Sequence, residues 1–220
     1  MIDELALLRL FQITDSAIPI GTISHSFGLE TLVEDGLVTP ASFEQYLHDY
    51  IEESGGLDAF FCRAAYQLPP LTGAQFGNSW MRLNAEISAR KYARESRQAS
   101  LTLGRRFLRL AAEWLGAPEI EILPESDSHH VAAFSVIARM IGVDQKRATL
   151  AWLHQSAMTQ VSTAQRLMPL GQNSASAILW RLKPLLLDVA QRDLTGESFT
   201  PLLETAGMRH PKLRVRLFIS

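Results

Sequence analysis

Cysteine is almost missing from this chain: Cys62 is the only one in 220 residues. That excludes an internal disulfide framework and a cysteine-built zinc cage. Its position inside a helical pattern reads as a small buried hydrophobe. Long apolar runs are missing too. Nothing approaches the roughly 18 uninterrupted apolar residues a membrane span requires, so no membrane association is expected. The start carries Asp3 and Glu4 where a signal peptide would place basic residues ahead of an apolar stretch, and a reducing cytoplasm is the expected setting. Excess basic charge is also lacking. Lys and Arg total 21 against 23 Asp and Glu, a formal net charge of −2, which argues against bulk nucleic-acid binding. A Gly-rich turn ending in Gly-Lys-Ser/Thr is absent, and so is a dinucleotide fingerprint.

What remains is ordinary globular material, 47% hydrophobic and 20% charged, in a chain long enough to bury roughly 70–75% of its unfolded surface without staples. Its periodicity is helical almost throughout. The expectation is an all-α, single-domain bundle of about nine or ten helices with an extended C-terminal tail, divided into a helical domain over residues 1–190 and a partner-binding segment over 191–220, where Thr200-Pro201 reads as the start of one short helix that His210-Pro211 stops. A buried N-terminal helix with Leu5, Leu8 and Ile13 leads to the loop Ala17-Ile18-Pro19-Ile20-Gly21. The next helix closes at Gly36, a residue suited to a left-handed C-terminal cap. Thr39-Pro40 reads as a helix start, Gly55-Gly56 as a break, and Pro69-Pro70 as a stop. A helix is expected within Gly73 to Asn84 and a long one over Ala89 to Leu115. Glu119 to Glu125 reads as a connecting loop, and Ser126, Asp127 or Ser128 as the cap of the helix that ends at Gly142. Asp144 caps the following long helix, and Lys183-Pro184 is placed to kink the last long one.

One junction stands out. Val161 to Gln172 closes one long helix, stops it at Met168-Pro169 and Gly171, and starts another, with Arg166 facing outward beside the break.

Projected at about 100° per residue, Arg90, Lys91, Arg94, Arg97, Arg105 and Arg109 share an arc into which Leu101 and Leu108 intrude. A solvated basic face and a protein-contact surface both fit that pattern. The six histidines (His25, His48, His129, His130, His154 and His210) show no i, i+3 or i+4 pair of the kind that binds metal on a helix. Ser24-His25-Ser26 lacks the setting of a nucleophile elbow. Glu30 and Glu34 are spaced as a pair, for which an exposed helix face is the ordinary reading. The final stretch, Lys212-Leu213-Arg214-Val215-Arg216-Leu217-Phe218, alternates with a period of two. That is an extended pattern which either packs on its own body or waits for a partner.

Four stretches, taken in order, resemble the urease accessory protein UreF family. They are Leu8–Gln12 with Ala17–Gly21 and Ser26–Glu30; Ser96-Arg97-Gln98 with Gly104-Arg105; His130-Val131-Ala132 with Trp152-Leu153-His154, Val161-Ser162 and Arg166–Gln172; and Met208-Arg209-His210 with Arg216–Ser220. The resemblance implies an all-α homodimer with no cofactor and no enzymatic activity of its own. It implies an adaptor that bridges UreD (also called UreH) and the GTPase UreG on apo-urease during GTP-dependent nickel insertion, where a carbamylated lysine of urease completes the metal site. On that basis Arg209, His210, Arg214, Arg216, Leu217 and Phe218 are assigned to UreD/UreH. Arg166, Gln172, Ser26 and Glu30 are assigned to UreG. The competing reading is a helical metal-dependent hydrolase built on His25, His129 and His130 with Glu30. A nucleic-acid binder using the basic arc is a third.

Overall fold

Capping chemistry sets many of the helix boundaries in the computed structural model, which describes residues 3–121, 123 and 127–219. Helix α1 spans Glu4–Ile13 and α2 spans Leu29–Glu34, with Gly36 at a φ of 70° just beyond. Helix α8, His130–Met140, ends at Gly142, whose φ of 86° only glycine adopts cheaply. Asp144 then caps α9, Gln145–Leu167, by accepting a hydrogen bond from the Arg147 amide. Helix α10, Gln172–Arg181, and α11, Lys183–Gln191, meet in a kink at Leu182 ahead of Pro184. The all-α expectation holds, and no strand occurs among the described residues.

Besides α1, whose Leu5 and Leu8 are exposed where a buried helix was expected, five local expectations fail. Helix α3, Phe43–Tyr50, does not stop at Gly55-Gly56. It runs through a π-helical turn, Ile51–Gly55, directly into α4, Gly56–Tyr66. A Cβ at Gly55 would come 3.2 Å from the Leu153 side chain on α9, so the glycine lets two helices close up. Second, Thr39 and Ser42 cap each other's turn, and α3 begins only at Phe43. Third, the long basic helix is two. Helix α5, Phe76–Arg90, and α6, Arg94–Leu115, are separated at Lys91–Ala93, where the Ala93 amide donates to Glu204 at 2.5 Å. Fourth, Pro118–Glu121 forms a short helix, α7, where a loop was expected. Fifth, His129 occupies the α8 cap position rather than Asp127 or Ser128. Ser126, Ile122, Glu125 and Ser220 lie outside the described residues.

Two apolar clusters result. One gathers α1, α4, α5, α6 and α8 around Phe61, Trp80, Phe107 and Phe134. The other gathers α2, α3, α9, α10 and α11 around Phe43, Leu47 and Leu153. Leu101 and Leu108 are buried, so the basic arc is not an interleaved contact surface. Arg97 donates to the Lys91 carbonyl, Lys91 pairs with Asp58, and Arg90 pairs with Glu86. Helix α9 reaches both clusters through Trp152 and Leu153, which positions its C-terminal end beside α2. Helix α12, Pro201–Arg209, packs on α2 and α6.

Candidate functional site

Backbone geometry at Phe27 and Gly28 builds the site. Phe27 has a φ of 52° and Gly28 a φ of 93°, and a Cβ on Gly28 would approach the Leu203 carbonyl to 2.9 Å. The start of α2 is thereby pressed against α12. This turns Glu30, in the first turn of α2, inward until it is only 5% exposed. An exposed Glu30–Glu34 face was expected, and for Glu30 that is overturned.

A buried carboxylate persists only when its oxygens are satisfied. One Glu30 oxygen lies 2.6 Å from His210 Nε2, and the other accepts from the Leu217 amide at 2.6 Å. His210 sits in a 3₁₀ turn, His210–Lys212, directly after α12. One acidic side chain thus fastens both ends of the final segment. The Ile219 amide adds a bond to the Ser24 carbonyl at 2.8 Å.

Arg166 forms the second fastening. Its guanidinium lies 4.2 Å from the centroid of the Phe218 ring and donates to the Ile23 carbonyl at 2.7 Å. A cation over an aromatic face contributes about 0.5–2 kcal/mol, and Phe218 is 5% exposed. Arg209 closes the far side with two bonds to Asp35, at 2.7 and 3.0 Å.

Half of the residues that the resemblance assigns to the two partners therefore meet in one place. Glu30 joins His210 and Leu217, and Arg166 joins Phe218. Ser26 is fully buried in the turn before α2, while Gln172 opens α10 in solvent. Of the alternating tail, Phe218 turns inward. Arg214 and Arg216 are exposed together with Val215, Leu217 and Ile219, and Val215 reaches 79%. The period-two pattern is thus an extended arm lying on its own body. Asp35 and the carbonyls of Ile23 and Ser24 are the contributors that sequence reasoning missed. A carbonyl acceptor leaves no trace in side-chain pattern.

The histidines do not assemble into a centre. No group of three or more His, Cys, Asp or Glu able to hold a metal ion exists among the described residues. Both His129 ring nitrogens are engaged by serine hydroxyls, Ser88 at 2.8 Å and Ser100 at 2.9 Å. His130 packs edge-on against Trp152 and Phe107. Burial holds both imidazoles neutral, with pKa values pushed down to about 3. His25 is buried against Phe27, and its pKa is lowered by burial and by Arg106 and His210.

These shifts fix a sign for acid sensitivity. The folded pKa lies below the unfolded value of 6.5, so the unfolded chain binds the extra protons. The stabilisation is complete above pH 6.5 and is lost as pH falls toward 3. The slope is about 1.4 kcal/mol per pH unit for each histidine. Urea denaturation at pH 7 and pH 5.5 should show a marked loss that is smaller in His130→Phe. An identical loss in that variant would remove His130 as a source.

The sequence model of the UreF family matches residues 37–183. The urease accessory protein UreF of Geobacillus kaustophilus is 33% identical over 97% of this chain and 98% of its own length. That of Arthrobacter is 31% identical over 97% and 96%. That of Microcystis aeruginosa is 30% identical over the whole of both chains. A full-length likeness at this level, covering both the helical body and the closing arm, makes the chain a member of the urease accessory protein UreF family.

Proposed function

We propose that this protein is a non-catalytic adaptor in nickel metallocentre assembly, bridging UreD/UreH and the GTPase UreG on apo-urease and controlling GTP-dependent nickel insertion in the cytoplasm. Nickel is cargo on this reading. The observation that carries it is the closing arm, residues 213–219. Phe218 and the Leu217 amide hold it to the body, while Arg214, Val215, Arg216 and Ile219 stay exposed. Arginine and apolar side chains interleaved on a pre-ordered segment suit a protein interface. Little ordering entropy remains to be lost there on binding.

The arm is assigned to UreD/UreH, with Arg209, His210, Arg214, Arg216, Leu217 and Phe218. Arg166, Gln172, Ser26 and Glu30 are assigned to the UreG side. Because Glu30, Ser26, His210 and Phe218 are buried, they act by shaping these surfaces, whereas Arg166, Gln172, Arg209, Arg214, Arg216 and Leu217 are exposed to touch a partner. Homodimerisation is supported by Leu5, Leu8, Phe11 and Met158, large apolar side chains exposed along α1 and α9. Light scattering should then give about twice 24.5 kDa.

The test is co-purification with UreD and UreG. Arg216→Ala should weaken UreD capture selectively, by roughly tenfold for an arginine contributing about 1.4 kcal/mol. Arg166→Ala should reduce UreG capture. Unchanged capture of both partners by both variants would sink the assignment.

A further inference from the structure

A cavity of about 110 Å³ lies between the π-helical turn, α6, α8, α9 and α12. Its walls carry an unusual concentration of unfinished hydrogen bonding. Thr22, His130, Gln155 and Gln160 all line it. Each is more than nine-tenths buried, and each has a side-chain polar atom without a partner: Thr22 Oγ1, His130 Nε2, Gln155 Oε1 and Gln160 Nε2. Buried polar atoms are ordinarily satisfied, and each one left over is destabilising. Four around one cavity call for an occupant.

The π-helical turn contributes to this geometry. It sits between Tyr50 and Ser54 on one wall and the polar stripe of α9 on the other, where Tyr46 donates to Gln160 Oε1 at 3.0 Å and Tyr50 bonds Ser156 at 2.9 Å. The charged lining groups are engaged within the chain, Arg90 with Glu86 among them. Asp58 holds Lys91 at 3.8 Å and accepts from Trp152 Nε1 at 3.1 Å, and Glu204 accepts from the Ala93 amide. His130 is kept neutral by burial. The four unpartnered atoms themselves all belong to uncharged side chains. A neutral one finds an amide oxygen, an amide nitrogen, a hydroxyl and a ring nitrogen.

Access is also visible. A larger groove of about 870 Å³ runs along the outside between α1, α9 and α11. Thr22, Gln155 and Thr159 belong to both linings, so these three side chains form the partition between groove and cavity. Of the three, Gln155 is the longest, and its carboxamide offers both a donor and an acceptor.

We propose that this cavity is a binding chamber for small neutral hydrogen-bonding molecules, entered from the outer groove past Thr22, Gln155 and Thr159. Water and small amides or polyols share that chemistry. With each water occupying about 30 Å³ in the liquid, a few waters or one such solute fit. The proposal does not depend on the adaptor reading.

Nuclear magnetic resonance of the full-length protein tests it through the side-chain amides of Gln155 and Gln160 and the His130 ring nitrogens. Long-lived water contacts at these groups identify water as the occupant. Saturable shifts on adding acetamide or glycerol identify a solute. Either effect should be lost locally in Gln155→Leu. Thr22→Val, which removes only a hydroxyl, serves where that variant folds poorly. Absence of both water contacts and solute shifts means a dry cavity and overturns the proposal. So would broadening of the same resonances by stoichiometric Ni²⁺ that neutral solutes do not compete away.

Discussion

Gly104→Ala is expected to cost about 3 kcal/mol, the upper end of the overpacking range, a large share of the roughly 5–15 kcal/mol that holds a domain together. A Cβ at this position would lie 1.9 Å from the Ser128 carbonyl oxygen and 2.8 Å from the His129 carbonyl carbon. Those are backbone atoms, and they are pinned. The His129 amide donates to Asn84 at 2.7 Å, the Ser128 hydroxyl donates to the Leu123 carbonyl at 2.9 Å, and the His129 ring is clamped by two serines. No rotamer change relieves the clash, so α6 must move off the segment that starts α8. Phe107 and Phe134, fully buried in the same cluster, would lose contact as it did. A glycine in mid-helix costs about 0.5–1 kcal/mol relative to alanine on its own, so its presence in α6 reflects this approach. Gly77 gives the control, because a Cβ there meets nothing within 4 Å. Gly77→Ala should be neutral or stabilise by several tenths of a kcal/mol. If urea midpoints placed Gly104→Ala within 1 kcal/mol of the parent, the close approach of α6 to the α8 start would be wrong.

Gly104 also marks where sequence pattern stops being informative. A lone glycine inside an amphipathic stretch looks like a tolerated defect until the crossing segment is known. Gly55-Gly56 misleads in the opposite direction. The pair reads as a break, yet tertiary packing against Leu153 carries the helix through it as a π turn. The real break, at Lys91–Ala93, is imposed by Glu204 from a distant helix, which no local periodicity can announce. Leu101 and Leu108 looked anomalous in a basic arc because α6 was assumed to have one buried side. It packs against α7, α8 and α12, so its apolar surface is wider than a single stripe. Where the signal is local, as at Gly142, Asp144 and Pro184, reading and structure agree. For the candidate site the residues were legible and their meeting was not. Glu30 and His210 are 180 positions apart, and Arg166 and Phe218 were assigned to different partners because nothing in the sequence brings them into contact.

Glu30→Ala should release the closing arm while leaving the helical body folded. The substitution removes the acceptor of two hydrogen bonds at once. It strands His210 Nε2, on a residue whose Nδ1 is already unpartnered, and the Leu217 amide. Breaking one side of a buried ion-paired or hydrogen-bonded contact costs about 3–5 kcal/mol, and here that cost falls on docking of residues 210–219. The global core is insulated, because the arm adds Phe218 alone to the buried apolar set beyond α12. Amide exchange at Leu217 and Ile219 should therefore accelerate by about two to three and a half orders of magnitude. The urea midpoint of the body should move much less. Arg166→Ala removes a cation over Phe218 and one bond to the Ile23 carbonyl. Its effect on the same amides should be smaller, about 0.5–2 kcal/mol or up to roughly thirtyfold. The order matters more than either value. Glu30 holds both ends of the arm, whereas Arg166 holds one ring, so a larger acceleration in Arg166→Ala would mean that the aromatic contact is the principal fastening. Unchanged protection of Leu217 and Ile219 in Glu30→Ala would show that the carboxylate does not hold the arm. If the arm is the surface that receives UreD, capture of UreD should weaken in Glu30→Ala although Glu30 itself is too deeply buried to touch a partner.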